Sequence, residues 1–182
     1  MGGKSIEHEV SFNSGRTACD HLDTARFTII PLYQTRQGAL YLLPWHFLHR
    51  GKTTDFSHRL EAEAEKILFS HLRQHIDFMF IAVHGRYAED GTLQGMLEIL
   101  GIPYLGSKVF GSALGMDKAL QREFLKAHGI QVPKGFFLHP HEYTQESLAA
   151  LIKQKNLTYP LIIKPHKEGS SLGMGIVHSQ EE

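Results

Sequence analysis

Apolar positions recur in two rhythms that take turns along the chain: short unbroken runs, and longer stretches spaced three or four residues apart. That alternation predicts an α/β architecture. RFTIIPLY (26–33) and LYLL (40–43) read as short strands on either side of a turn, QTRQG. The next stretch, SHRLEAEAEKILFSHLRQH, puts Leu60, Ile67, Leu68 and Leu72 on one stripe with Glu and Lys opposite. It predicts a helix capped by Ser57. DFMFIAV (77–83) is nearly all apolar, as a strand buried on both faces should be. It runs into HGRYAEDG; TLQGMLEIL then predicts a helix ended by Gly101, and IPYLG a further short strand.

From Ser107 the texture changes. SKVFGSALG and DKALQREFLKAHG predict two successive helices, the second closed by Gly129. VPKGFFLH reads as a strand, TQESLAALIKQK as a helix capped by Thr144, and YPLIIKP as another strand. GMGIVHS (173–179) is placed to return as the second arm of a hairpin. The expected division is 1–106 and 107–182.

Composition narrows the function classes. Net formal charge is zero and the pI about 7.3, which gives no general attraction to nucleic acid or anionic lipid. The lone Cys19 leaves no internal disulfide and fits a reducing compartment. No apolar run approaches the roughly 20 residues a membrane span needs. The expectation is a cytoplasmic protein without nucleic-acid or membrane partners. Thirteen histidines are scattered. Their densest cluster, HPHE (139–142), reads as a solvated turn around Pro140 rather than a metal site.

Three segments combine glycine with ionisable or hydroxyl groups. In GGKSIEHEVS (2–11), a glycine pair with Ser5, Glu7 and Glu9 precedes a helix expected to begin near Glu7 or His8. Such glycines let ligand groups approach a helix N-terminus. Acidic residues favouring that N-terminus explain the same pattern. HGRYAEDGTLQG (84–95) begins where a strand emerges, and His84 with Arg86 suits a carboxylate. Asp90 and Thr92 read as turn and capping residues. In KPHKEGSSLGMG (164–175), Lys164 ends a strand ahead of a supple loop, Glu168-Gly169-Ser170-Ser171. Glycines there allow N–H groups to converge on an anion, and the serines add donors. A plain hairpin turn is the alternative, and the ending of a P-loop is absent.

Together, GGKSIEHEVS, HGRYAEDGTLQG, LGIPYLGS, MDKALQREFLKAHGI and LIIKPHKEGSSLGMG resemble the D-alanine–D-alanine ligase family of ATP-grasp enzymes. They occur in the family's order along essentially the whole chain. The resemblance implies an open parallel α/β substrate domain followed by the first part of an ATP-grasp domain. It implies ATP-dependent joining of two D-alanines, a step in peptidoglycan synthesis, with Mg2+ or Mn2+ as cofactor and a homodimeric assembly. By resemblance, Glu7 meets the amino group of the first D-alanine and His84 lies near its carboxylate. Lys118 and Lys164 contact ATP phosphates, while Glu168, Gly169, Ser170 and Ser171 form the lid over the transferred group. Ser170 also ties that lid to Glu7, and these two are the implied catalytic residues.

Two departures qualify the resemblance. Ala88 stands where the family usually has glycine, and Met1 alone precedes Gly2 where the family has an apolar strand. Losing about five buried apolar side chains would cost on the order of 10 kcal/mol, against whole-domain stabilities of about 5–15 kcal/mol. A poorly stable first domain is therefore expected. The family's adenine-binding segment, metal-binding acidic residues and Asn, catalytic Arg and second-substrate site lie beyond the last matching motif. No metal ligand is expected among these residues, and the 182-residue chain alone is expected to be inactive. Alternatives are a non-catalytic remnant, half of a split ligase, or a related ligase using D-lactate or D-serine.

Overall fold

The computed structural model describes residues 1–139 and 143–182. The chain divides into two compact units, Met1–Ala113 and Leu114–Glu182.

The first unit is built on a small sheet whose side chains alternate between two cores. Helix α1 (His8–His21) precedes strands β1 (Leu32–Gln34), β2 (Leu40–Leu42) and β3 (Glu65–Ile67), which pair antiparallel in that order. β1 and β2 pair across the expected turn, with Tyr33 opposite Tyr41 and Leu32 opposite Leu42, but the strand expected over 26–33 is confined to Leu32–Gln34, with none over 26–31. Because strand side chains alternate faces, Tyr33 and Tyr41 join Phe12, Phe47, Phe56 and Leu60 in one cluster. Leu32 and Leu40 join Ile67, Leu72, Ile76, Leu97 and Ile102 in the other. Phe12 comes from α1, and Leu97 from α2 (Thr92–Ile99), so a helix serves each face. Parallel pairing is present as two bridges, Gly2 with Gln34 and Met79 with Tyr104. Gly3 N–H donates to Gln34 at 2.8 Å, and Gln34 N–H to the Met1 carbonyl at 3.0 Å.

The structure corrects three further expectations here. The predicted helix from Ser57 is interrupted: a helical turn at Leu60–Glu63 gives way to β3 and then to Leu72–His75. Pairing of Leu40 with Ile67 and of Leu42 with Glu65 overrides the local helical preference. Leu60 and Ile67 enter different clusters, and Leu68 is exposed. Nor does Ser57 cap a helix, since it lies inside a single 3-10 turn whose preceding residue is Phe56. The 77–83 segment is not buried on both faces. Phe78 and Phe80 are 53% and 45% exposed, while Ala82 is buried.

The second unit follows from helix α3 (Val109–Met116), in which the division between units falls. It contains α4 (Lys118–Ala127), α5 (Gln145–Gln154), and the antiparallel pair β4 (Leu161–Ile163) and β5 (Gly175–Val177). Thr144 caps α5 as expected: its side chain accepts from Ser147 N–H, and Ser147 answers through its own hydroxyl. Gly129, with φ +74°, follows the end of α4. The expected hairpin forms, Leu161 facing Val177 and Ile163 facing Gly175. VPKGFFLH, predicted as a strand, has no regular secondary structure over 132–139.

Candidate functional site

In the first unit, residues from the two ends of the segment 3–85 converge on His84. Glu7 holds the N-cap position of α1, yet its side chain makes no capping bond. It is buried, at 7% exposure. Glu9, its neighbour in the motif, instead accepts from the Thr53 amide and hydroxyl, a structural tether. So the two acidic residues part company, and only Glu7 is turned toward the HGRYAEDG loop. Gly85 has φ +77°, and a Cβ built there would lie 2.5 Å from Glu7 Oε2 and 3.2 Å from Ser5 Cβ. Only glycine lets the loop backbone come so close to the Glu7 carboxylate.

His84 is gripped by three serines. Ser5 Oγ donates to its carbonyl at 2.8 Å, its N–H donates to Ser11 Oγ at 2.9 Å, and Ser14 Oγ meets Nε2 at 2.8 Å. On the other side of the ring, Glu89 Oε1 lies 3.7 Å from Nδ1, and the other Glu89 oxygen accepts from Gly85 N–H at 2.7 Å. Arg86 is exposed and sits over the Tyr87 ring at 5.2 Å. Asp90 accepts from Tyr87 N–H at 2.9 Å and Thr92 N–H at 3.0 Å, the turn role expected of it, while Gly91 occupies the N-cap position of α2. Burial works against its ionised form, but the Tyr87 and Thr92 donors hold its pKa below the ordinary carboxylate value. Ala88 is buried, with its carbonyl taken by Gln94 Nε2 at 2.7 Å.

His8 fixes the loop that carries Ser5 and Glu7. Its Nδ1 is 2.6 Å from the Gly3 carbonyl, so that nitrogen carries the proton, and Nε2 accepts from the Tyr33 hydroxyl at 2.9 Å. Burial lowers its pKa, outweighing the Gly3 bond that favours the proton.

In the second unit, a cavity of about 220 Å³ is lined by Lys118, Lys164, Glu168, Gly169, Ser170 and Ser171, together with Leu172 and Met174. The loop is wired to the start of α4. Lys118 Nζ donates to the Glu168 carbonyl at 2.5 Å, and Lys118 N–H to the His166 carbonyl at 3.0 Å. Asp117 caps α4 by accepting from Ala119 and Leu120 N–H at 3.1 and 3.0 Å, and it faces Lys167 at 3.5 Å. Burial opposes its charge, but the Leu120 N–H, His166 and Lys167 keep its pKa below the ordinary carboxylate value. Ser170 and Ser171 have φ of +47° and +60°. Left-handed backbone costs an L-residue about 1–2 kcal/mol, and such strain concentrates at ligand sites.

Thus Glu7 and His84 come together in one unit, and the two lysines and the lid residues in the other. Ser11, Ser14, Glu89 and His8 are participants that motif reading passed over. Glu7, Ser11 and Ser14 are spaced four and three apart, a spacing that marks one helical face. Among the described residues, no group of three or more His, Cys, Asp or Glu is placed to hold a metal ion. The HPHE stretch lies outside the described residues at 140–142. No described helix is long and apolar enough to cross a membrane.

Comparison with known proteins bears on both units. The family described as D-ala D-ala ligase N-terminus matches residues 1–107, and D-ala D-ala ligase C-terminus matches 124–182. The chain is 36% identical to the D-alanine–D-alanine ligase of Chlorobium chlorochromatii, covering 100% of the chain and 55% of that protein. It is 35% identical to that of Natranaerobius thermophilus, covering 100% and 53%. Among solved structures, the D-alanine–D-alanine ligase of Coxiella burnetii superposes with a TM-score of 0.83 at 31% identity, covering 99% of the chain and 55% of that structure. The VanG D-Ala:D-Ser ligase of Enterococcus faecalis gives 0.82 at 32%, covering 100% and 55%. The chain spans about half the length of the curated relatives it matches.

Proposed function

The chain belongs to the D-alanine–D-alanine ligase family, and from that premise we propose that its two sites are the amino-acid pocket and the phosphate loop of an ATP-dependent ligase. The reaction would be D-alanyl-D-alanine formation for peptidoglycan precursor synthesis, in the cytoplasm and by a homodimer. Glu7 supplies a buried carboxylate for the ammonium group of the first D-alanine. His84 lies beside it for the carboxylate to be activated. That carboxylate takes the terminal phosphoryl group of ATP as ADP leaves. The amine of the second D-alanine then attacks the acyl phosphate, forming the peptide bond and releasing inorganic phosphate.

Lys118 and Lys164 provide the cations that a polyphosphate needs. Glu168, Gly169, Ser170 and Ser171 form the lid that excludes water from the acyl phosphate. Among the described residues there is no ligand cluster for the Mg2+ or Mn2+ that the family implies. What supports the assignment most is the gathering of both lysines and all four lid residues around one cavity.

The test is phosphate release from ATP on adding D-alanine. A polypeptide of the relatives' full length is expected to release phosphate with D-alanine and not with L-alanine, and to lose this with Lys164→Ala. The 182 residues alone are expected to bind without turnover. Release indifferent to D-alanine contradicts the assignment. The similarity to a D-Ala:D-Ser ligase favours D-serine as the alternative second substrate, which a profile of acceptor acids decides.

A further inference from the structure

We propose that Ser14 is the positioning residue of the His84 imidazole, selecting its tautomer and ring orientation in the amino-acid pocket. The proposal rests on the assignment of Glu7 and His84 to that pocket.

A serine in a helix ordinarily returns its hydroxyl proton to the carbonyl one turn back. Two neighbours on α1 do this: Ser11 Oγ bonds to the Glu7 carbonyl and Thr17 Oγ1 to the Asn13 carbonyl, each at 3.0 Å. Ser14 Oγ instead reaches a side chain 70 residues further along, His84 Nε2, at 2.8 Å. The opposite ring nitrogen faces Glu89 Oε1 at 3.7 Å, and Gly85 N–H fixes that carboxylate through its second oxygen. A carboxylate accepts only, so it favours the proton on Nδ1. Nε2 then presents a lone pair, and the Ser14 hydroxyl is the donor that meets it. The backbone on either side of the ring is already held by Ser5 and Ser11. Rotation about the His84 side chain is what remains, and Ser14 removes it. Partners on the second nitrogen set imidazole orientation in the same way elsewhere.

The test uses protein labelled with 15N at histidine, the His84 ring signals being identified by their loss in His84→Gln. The wild type is expected to show the Nδ1–H form. Ser14→Ala should shift those signals toward the other tautomer or an average of the two. It should also weaken D-alanine binding, read by calorimetry, on the order of threefold to tenfold. Ser14→Thr, which keeps the hydroxyl, should restore both to near wild type. Unchanged ring signals in Ser14→Ala overturn the proposal, as does failure of Ser14→Thr to rescue. If the ring signals move while the wild type binds no D-alanine, the positioning role stands and the amino-acid assignment falls.

Discussion

The two units differ in how their sites are held. In the first, two buried apolar clusters form around the sheet, and side chains such as Phe12, Phe47, Phe56 and Leu97 are fully buried. His84 and Glu7 are set on that frame. In the second unit, no apolar side chain among the described residues is fully buried; Leu120, Ile162, Ile163 and Ile176 are 58–61% exposed. Its loop is held by polar wiring instead: the Lys118 bond to Glu168, the Asp117 cap, and the bond from Lys118 N–H to His166. Packing fixes a pocket before its ligand arrives. Polar wiring to a backbone carbonyl is what an anionic ligand can compete for.

The largest effect that would break this contrast is in the core. Phe56→Ala, which empties the space between Phe12, Tyr33 and Phe47, should destabilise the first unit by about 3–5 kcal/mol in denaturant titration. Ile176→Ala in the second unit should cost under about 1 kcal/mol. Equal costs would mean that the second unit has a core after all. Next is Gly85→Ala: left-handed backbone alone costs about 1–2 kcal/mol, and the new methyl group must displace the Glu7 carboxylate. Loss of D-alanine binding should therefore exceed the loss of stability.

Acid should separate the units at different pH. The folded-state pKa of His8 lies below its ordinary 6.5. As pH falls below 6.5, the unfolded chain takes up the proton first, so the first unit loses stability, by at most about 1.4 kcal/mol per pH unit. Asp117 is the opposite kind of group, with a folded pKa below the ordinary 3.8. Its contribution is complete above 3.8 and lost as pH falls through the folded value. Denaturant midpoints at pH 7.5, 5.5 and 3.5 test this, and His8→Gln should flatten the first step. The smallest effect is Thr144→Ala, about 1 kcal/mol, read as fraying of α5 in hydrogen exchange.

What the sequence made legible was local. The Gly129 stop, the Thr144 cap and the β4–β5 hairpin each depend on neighbours within a few residues, and each is in place. The 57–75 stretch was misleading because its helical period is genuine, while the pairing of Ile67 with Leu40 is a long-range choice that periodicity does not contain. Phe78 and Phe80 read as part of a buried strand on composition alone, and composition does not say what packs on each face. Glu7 and His84 stand out in the sequence through their motifs, and the fold brings the Glu7 carboxylate against the loop that His84 opens. Ser14 was missed because a helical serine is usually unremarkable, and its partner is 70 residues away.

The division of labour between the units is tested most directly by calorimetric titration with a non-hydrolysable ATP analogue. Replacing both Lys118 and Lys164 by alanine should weaken binding on the order of a hundredfold or more, while Glu7→Gln leaves it within about twofold. Nucleotide affinity untouched by the lysine pair, or lost equally with Glu7→Gln, would contradict it.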